Sequence, residues 1–231
     1  MSRAQPTLDL PTVVLDFETY YDRDYSLRKM SIPAYVADPR FKVHGLAVER
    51  DGKAEFLPEP EVRTALSGLT GHAVICHNAM FDCLILKDHY DFVPKFIMDT
   101  LFMANHVLGP AKDSGIGNSL EKLADRLGIE AKGSLDFMEG VAVPDPEQQQ
   151  RLADYAAADI RITRQVYQAL LPQISRPEFE LSQMLRHPRT RGTSTLTRLT
   201  GSLMPAQITS GGCSLALHGW QVCESPPSRI R

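Results

Sequence analysis

The chain has 231 residues, 43% hydrophobic and 23% charged, which fits one globular domain of ordinary composition plus some extra length. No stretch approaches eighteen consecutive apolar residues, and the opening MSRAQPTLDLP lacks the basic-then-apolar order of a signal peptide, so a cytoplasmic protein with no membrane partner is expected. The net charge of −3 hides an asymmetry: residues 186–231 hold six Arg, no Lys and one acid, for +5, leaving −8 on residues 1–185, which argues against gripping long duplexes by broad phosphate neutralisation and permits holding a short strand end through metal ions.

In chain order, Val13-Val14-Leu15 closed by Asp16-Phe17-Glu18-Thr19 reads as a buried strand with acidic side chains at its end. Further strands are expected at Lys42–Glu49, Ala54–Leu57 and Ala73–Cys76, with Asp51-Gly52 as the hairpin turn between the first two. Helical spacing follows over Ala79–Leu86, then over Thr100–Leu108 after a short strand at Phe96–Met98. It resumes over Ser119–Leu127, where Asn118 or Ser119 can cap, Glu121 and Lys122 face solvent and Gly128 is the stop. A Gly- and Pro-bearing loop near the active face is expected from Ile129 to Asp145. The last strong helix runs from about Pro146 to Leu171, with Leu152, Tyr155, Asp159, Ile162, Val166 and Leu170 on one stripe, ended by Pro172 and Pro177. Beyond Leu185 the Ser-, Thr-, Gly- and Arg-rich sequence has no sustained period, and a poorly ordered tail is expected. Cys76 and Cys83 read as core thiols and Cys213 and Cys223 as tail thiols, in neither case with zinc-site spacing.

The candidate chemistry lies in three places. Asp16 and Glu18, two apart on a strand, leave the same face and can converge on one cation. Asp82 follows a strand and turn, in the first turn of a helix, where it also suits the helix dipole; Asn78 can cap that helix through its side-chain oxygen, and Phe81 reads as core. Tyr155 and Asp159 are four apart on the last helix, one turn from each other, and a carboxylate on its inward side is costly unless paired or bound to metal. Asp99 reads as a cap or a supporting group. Each feature alone is common.

Their order is specific: acid-x-acid ending the first strand, Asn-x-x-Phe-Asp after a later strand, and Tyr-x-x-x-Asp on the final helix. With Leu15-Asp16-Phe17-Glu18-Thr19, Tyr35-Val36-Ala37-Asp38-Pro39, Met98-Asp99-Thr100 and Ser119-Leu120-Glu121-Lys122-Leu123-Ala124, the chain over about 13–175 resembles the DEDD superfamily of 3′→5′ exonucleases, specifically the tyrosine-bearing branch that includes the proofreading domains of family-A DNA polymerases. The resemblance implies an α/β, RNase H-like fold with a central mixed sheet flanked by helices. It implies two divalent ions, Mg²⁺ with Mn²⁺ as a substitute, held by Asp16, Glu18, Asp82 and Asp159, with Asp16 bridging and Tyr155 orienting the attacking water. Asp154 stands where the histidine branch would carry its histidine. Thr19 and Asn78 are the expected substrate contacts, through sugar or phosphate of the terminal nucleotide.

The implied partner is the 3′ end of single-stranded or frayed DNA, with a polymerase on a separate chain as a further partner and a phage or bacterial origin. Residues 1–12 read as an extension. Residues 176–185, including Arg176-Pro177-Glu178-Phe179-Glu180-Leu181, look like the opening of a polymerase segment, and too little sequence follows for a polymerase. Two alternatives stand beside this reading: an RNA-processing exonuclease of the same superfamily, and a non-catalytic nucleic-acid-binding remnant.

Overall fold

The computed structural model describes residues 10–109, 117–129 and 133–175, all within the compact unit Met1–Pro188. The expectations for residues 176–185, Pro177 and the tail lie outside the described residues, as does most of the expected extension.

A five-stranded mixed sheet has the order β3-β2-β1-β4-β5. Strand β1 (Thr12–Thr19) pairs antiparallel with β2 (Val43–Arg50) and parallel with β4 (Ala73–Cys76). Strand β3 (Lys53–Pro58) extends the antiparallel side and β5 (Phe96–Asp99) the parallel side. Helices are α1 (Ile32–Val36), α2 (Glu59–Ser67), α3 (Ala79–Tyr90), α4 (Thr100–Leu108), α5 (Leu120–Leu127) and α6 (Pro146–Leu170). At the β2–β3 turn Asp51 and Gly52 both take positive φ, 53° and 79°, the left-handed pair of a tight turn whose twist matches the strands it joins.

Helices α1 and α2 are additions to the β-rich start that the sequence pattern suggests. Helix α2 begins Glu59-Pro60 and buries only Val62 and Leu66; prolines that resemble breakers are favourable in a first turn, where the missing N–H has no partner to lose. Helix α1 spans five residues, too few to display a period, and starts from a bond between the Ser31 hydroxyl and Ala34 N–H of 3.4 Å.

Alternation along β1 sorts the core. Val13, Leu15 and Phe17 join Leu46, Val48, Ile85 and Leu86 under α1–α3, while Val14 joins Ala47, Ile75, Met103, Leu123, Ile160 and Val166 under α4–α6. Asp16 and Glu18 therefore share the face of Val14 and of α6. Helix α6 starts at a complete capping box, with Asp145 and Gln148 bonding each other's backbone N–H. It is held to β1 and β2 by Arg164, whose guanidinium pairs with the buried Glu49 and donates to the Thr12 hydroxyl at 2.8 Å.

Between Glu18 and Thr19 the β1–β2 register shifts, so that Glu18 opposes Gly45 and Thr19 opposes Val43. A Cβ on Gly45 would sit 2.5 Å from the Leu57 carbonyl oxygen and 2.4 Å from the Phe56 ring, so only glycine lets β3 close over this point. The skipped residue is His44, which is buried and whose Nε2 has no hydrogen-bond partner among the described residues. Burial, and then the Lys42 charge, push the His44 imidazole down from 6.5 to about 4. Between those values the unfolded chain binds a proton that the folded chain refuses, so stability rises with pH across the window and falls on acidification. We expect His44→Phe to flatten urea-unfolding stability between pH 4.5 and 6.5, removing a loss on the order of 1–2 kcal/mol; an unchanged slope would assign the pH dependence to other groups.

Candidate active site

Strand β1 ends where its neighbours diverge. Its pairing with β4 covers only Thr12–Val14, so the β1 edge beyond is open on that side and accessible from α3. On the Val14 face, α6 brings in Asp159. Carboxylate oxygens of Asp16, Glu18 and Asp159 all lie within 4.8 Å of one another; Glu18 is 5% and Asp159 4% exposed. Three acids so close, two of them buried and Asp16 half-buried, repel strongly unless a cation or proton joins them, and an oxygen-only donor set of this kind suits Mg²⁺ or Mn²⁺.

Tyr155, one turn before Asp159, turns its phenol to the same acids. Burial, followed by the charges of Asp159, Glu18 and Asp16, raises its pKa well above 10.0, and its hydrogen bond to Asp159 adds to the shift. The phenol thus keeps its proton throughout the neutral range and acts as a donor.

Asp82 is in the first turn of α3, as the sequence suggests, and 1% exposed. Its carboxylate lies outside the group of three: Oδ1 accepts the Phe17 N–H at 3.1 Å, the backbone donor between Asp16 and Glu18 on the edge that β4 leaves open. Burial pushes the Asp82 carboxyl up to about 7 against the opposing effect of that bond.

Asn78 corrects an expectation. It occupies the N-cap of α3, but at φ 62°, ψ 54°, and makes no side-chain capping bond; capping geometry requires extended backbone, and the left-handed conformation, which Asn tolerates, turns the side chain elsewhere. Its N–H instead donates to Asp99 Oδ1 at 3.0 Å, and the same oxygen accepts Leu101 and Phe102 N–H groups. Asp99 is therefore the cap of α4 and the anchor of the Asn78 turn. At α5, Ser119 has the N-cap backbone without a side-chain bond, and Asn118 instead bridges Asn105 and the Gly109 carbonyl.

Thr19 is half-buried, and its hydroxyl lies 2.9 Å from the Tyr35 hydroxyl. Tyr35 carries no site signal in the sequence; only the fold brings α1 beneath the end of β1. The stretch after α5 docks beside this end, with Tyr21 donating to the Leu135 carbonyl and accepting the Gly140 N–H, both at 2.8 Å. Asp154 is exposed and accepts from Gln150 at 3.0 Å. Cys76 is buried and Cys83 partly so, and Phe81 packs against the core.

A five-stranded mixed sheet in this order, flanked by helices and carrying clustered acids at the end of its first strand and on its last helix, has the RNase H-like α/β architecture. Residues 8–175 match the model of a 3′–5′ exonuclease family, DNA_pol_A_exo1, and the chain belongs to that family of metal-dependent nucleases. No curated protein matches the sequence. Among solved structures, Brucella melitensis NrnC bound to pGG is similar at 16% identity and a TM-score of 0.52, over 77% of this chain and 80% of that one. Trypanosoma brucei RNase D in complex with RNA U12 aligns at 13% identity and 0.52, over 71% and 56%. Escherichia coli RNase D aligns at 16% and 0.51, over 76% and 41%. At these identities the likeness speaks for the fold. No helix among the described residues is long and apolar enough to cross a membrane.

Proposed function

We propose that residues 13–175 form a two-metal 3′→5′ exonuclease of the tyrosine branch that hydrolyses the 3′-terminal phosphodiester of single-stranded or frayed DNA. It would act as a proofreading activity in a bacterial or phage-infected cytoplasm, beside a polymerase on another chain. The observation that carries this is the meeting of Asp16, Glu18 and Asp159 within 4.8 Å with the protonated Tyr155 phenol beside them.

Asp16, Glu18, Asp82 and Asp159 would hold two Mg²⁺ ions, with Mn²⁺ as a substitute; such ions supply positive charge to the attacking and leaving oxygens of a phosphodiester. The protein's own groups do the rest. Tyr155 gives its one proton to Asp159, so its phenol oxygen would accept a water O–H and orient that water for attack, being too poor a base to deprotonate it. Phe17 N–H holds the Asp82 carboxylate against the strand edge, and the Asp99 cap fixes the turn from which Asn78 would meet the terminal nucleotide. Thr19 would be the second substrate contact.

Support for DNA comes from the Leu15–Thr19, Tyr35–Pro39 and Ser119–Ala124 segments and their likeness to polymerase exonuclease domains. RNA is the second reading, since NrnC was solved with pGG and an RNase D with RNA U12. Initial rates of nucleotide release from 3′-labelled single strands of one sequence, made as DNA and as RNA, decide between them. We expect at least about a tenfold preference for DNA in kcat/KM, the scale of one or two well-placed polar contacts; a preference for RNA would overturn the DNA reading and leave the exonuclease intact.

A further inference from the structure

Apart from the acid cluster, the start of β2 borders a cavity of about 590 Å³. Val43 pairs with Thr19, so this cavity lies at the same end of the sheet as the acids. Lys42 and His44 line it from β2, Glu59 and Arg63 from α2, and His89 and Tyr90 from the end of α3. His44 is 9% exposed, and its ring nitrogen Nε2 makes no hydrogen bond among the described residues. A buried polar atom left in that state is costly until a ligand or water meets it. Lys42 is near enough for its charge to act on that ring, and its ammonium spends one donor on the Ala142 carbonyl, leaving others to a ligand. Arg63 donates to the His89 and Tyr90 carbonyls at 2.9 and 3.2 Å and likewise keeps further N–H groups.

The charge and the rings say what such a cavity would take. Glu59 is the one acid among the lining residues, so the cavity is cationic on a body whose residues 1–185 carry −8. Cationic donors beside an unpartnered imidazole suit phosphate oxygens. Phe41 and His89 stack with centroids 4.5 Å apart, and the Arg63 guanidinium lies 5.6 Å from the Tyr90 centroid; flat faces of this kind receive a nucleobase. We propose that this cavity is a second nucleotide site, in which Lys42, His44 and Arg63 hold a phosphate and the Phe41–His89 pair receives the base. None of these residues belongs to the acid cluster. Two sources share that chemistry: a free nucleoside monophosphate, or a nucleotide of the bound strand away from its 3′ end, the second of which rests on the exonuclease reading above.

The test uses the full chain in EDTA, where Asp16, Glu18 and Asp159 have no cation to draw a phosphate and repel one, so that bound dAMP reports the cavity alone. Histidine ring resonances are followed by NMR during titration with dAMP and with deoxyadenosine. In wild type we expect saturable shifts at His44 and His89, with dAMP bound about tenfold tighter than deoxyadenosine, the worth of a charge-assisted contact. His44→Phe and Lys42→Met should each weaken dAMP about tenfold and leave deoxyadenosine within about threefold; a general disturbance of the fold would weaken both alike. No shift at His44 with dAMP, equal affinity for dAMP and deoxyadenosine, or wild-type dAMP affinity in both variants would overturn the site. Kd values in Ca²⁺ for single-stranded DNA of two and of eight nucleotides then separate the sources. A gain with length that both variants lose assigns the cavity to the strand, whereas a gain that they keep, or none, assigns it to the free nucleotide. A chain that binds dAMP in this pattern and cuts no strand in Mg²⁺ keeps the site and loses the exonuclease reading.

Discussion

Asp159→Asn is expected to lower kcat/KM for 3′-nucleotide release on the order of 10³-fold, the scale of losing a preorganised charge at the reacting centre, while the metal-free protein melts higher than wild type. Both effects follow from one fact. Asp159 is 4% exposed and its carboxylate stands within 4.8 Å of Asp16 and Glu18, so the acids that gather cations repel one another without them. Asparagine keeps the shape and can still accept the Tyr155 hydrogen bond, but it removes one of the three negative charges. Relief of about 1 kcal/mol raises the melting temperature by roughly 2–4 °C in a chain of this size. Calorimetry with and without Mg²⁺ checks the second effect: ion-induced stabilisation should shrink in the variant. Activity within tenfold of wild type would remove Asp159 from the centre.

The second large effect is expected for Tyr155→Phe. Loss of the hydroxyl should lower kcat by about 10²-fold, within the range for a positioned proton-bearing group, with KM and the Mg²⁺-induced rise in melting temperature almost unchanged. Phenylalanine keeps the ring beside Asp159 and removes one hydrogen bond to that carboxylate, leaving all four acids in place. Burial and the three carboxylates raise the phenol pKa of the metal-free protein above 10.0, so a difference titration of wild type against Tyr155→Phe without Mg²⁺ should show no Tyr155 phenolate at pH 9. A Tyr155→Phe enzyme with full kcat would mean that water is oriented by another group.

How far the site can be read from the chain depends on whether its parts are local. Asp16 with Glu18 and Tyr155 with Asp159 obey the periods of strand and helix, two and nearly four, so their shared faces follow from spacing alone. Helix α6, with its capping box and its stripe from Leu152 to Leu170, was equally legible, as was the stop at Gly128, which takes φ 66° in a left-handed cap. What spacing could not convey is set by tertiary contact. The left-handed Asn78 turn depends on Asp99, twenty-one residues on, and the bond from Phe17 N–H to Asp82 depends on how short β4 is. Tyr35 sits on a five-residue helix without amphipathic period, so only the folded chain brings its hydroxyl to Thr19. Helix α2 was hidden by Pro58 and Pro60, which punctuate a sequence and here open a helix.

The most direct test of the central claim is the release of product from a single-stranded DNA labelled at its 3′ end, followed with Mg²⁺ and again after chelation. The site built on Asp16, Glu18, Asp82 and Asp159 should liberate labelled mononucleotide as the first product and stop when the ions are withdrawn. A folded chain that releases nothing in Mg²⁺, or one whose first products are internal fragments, would contradict it.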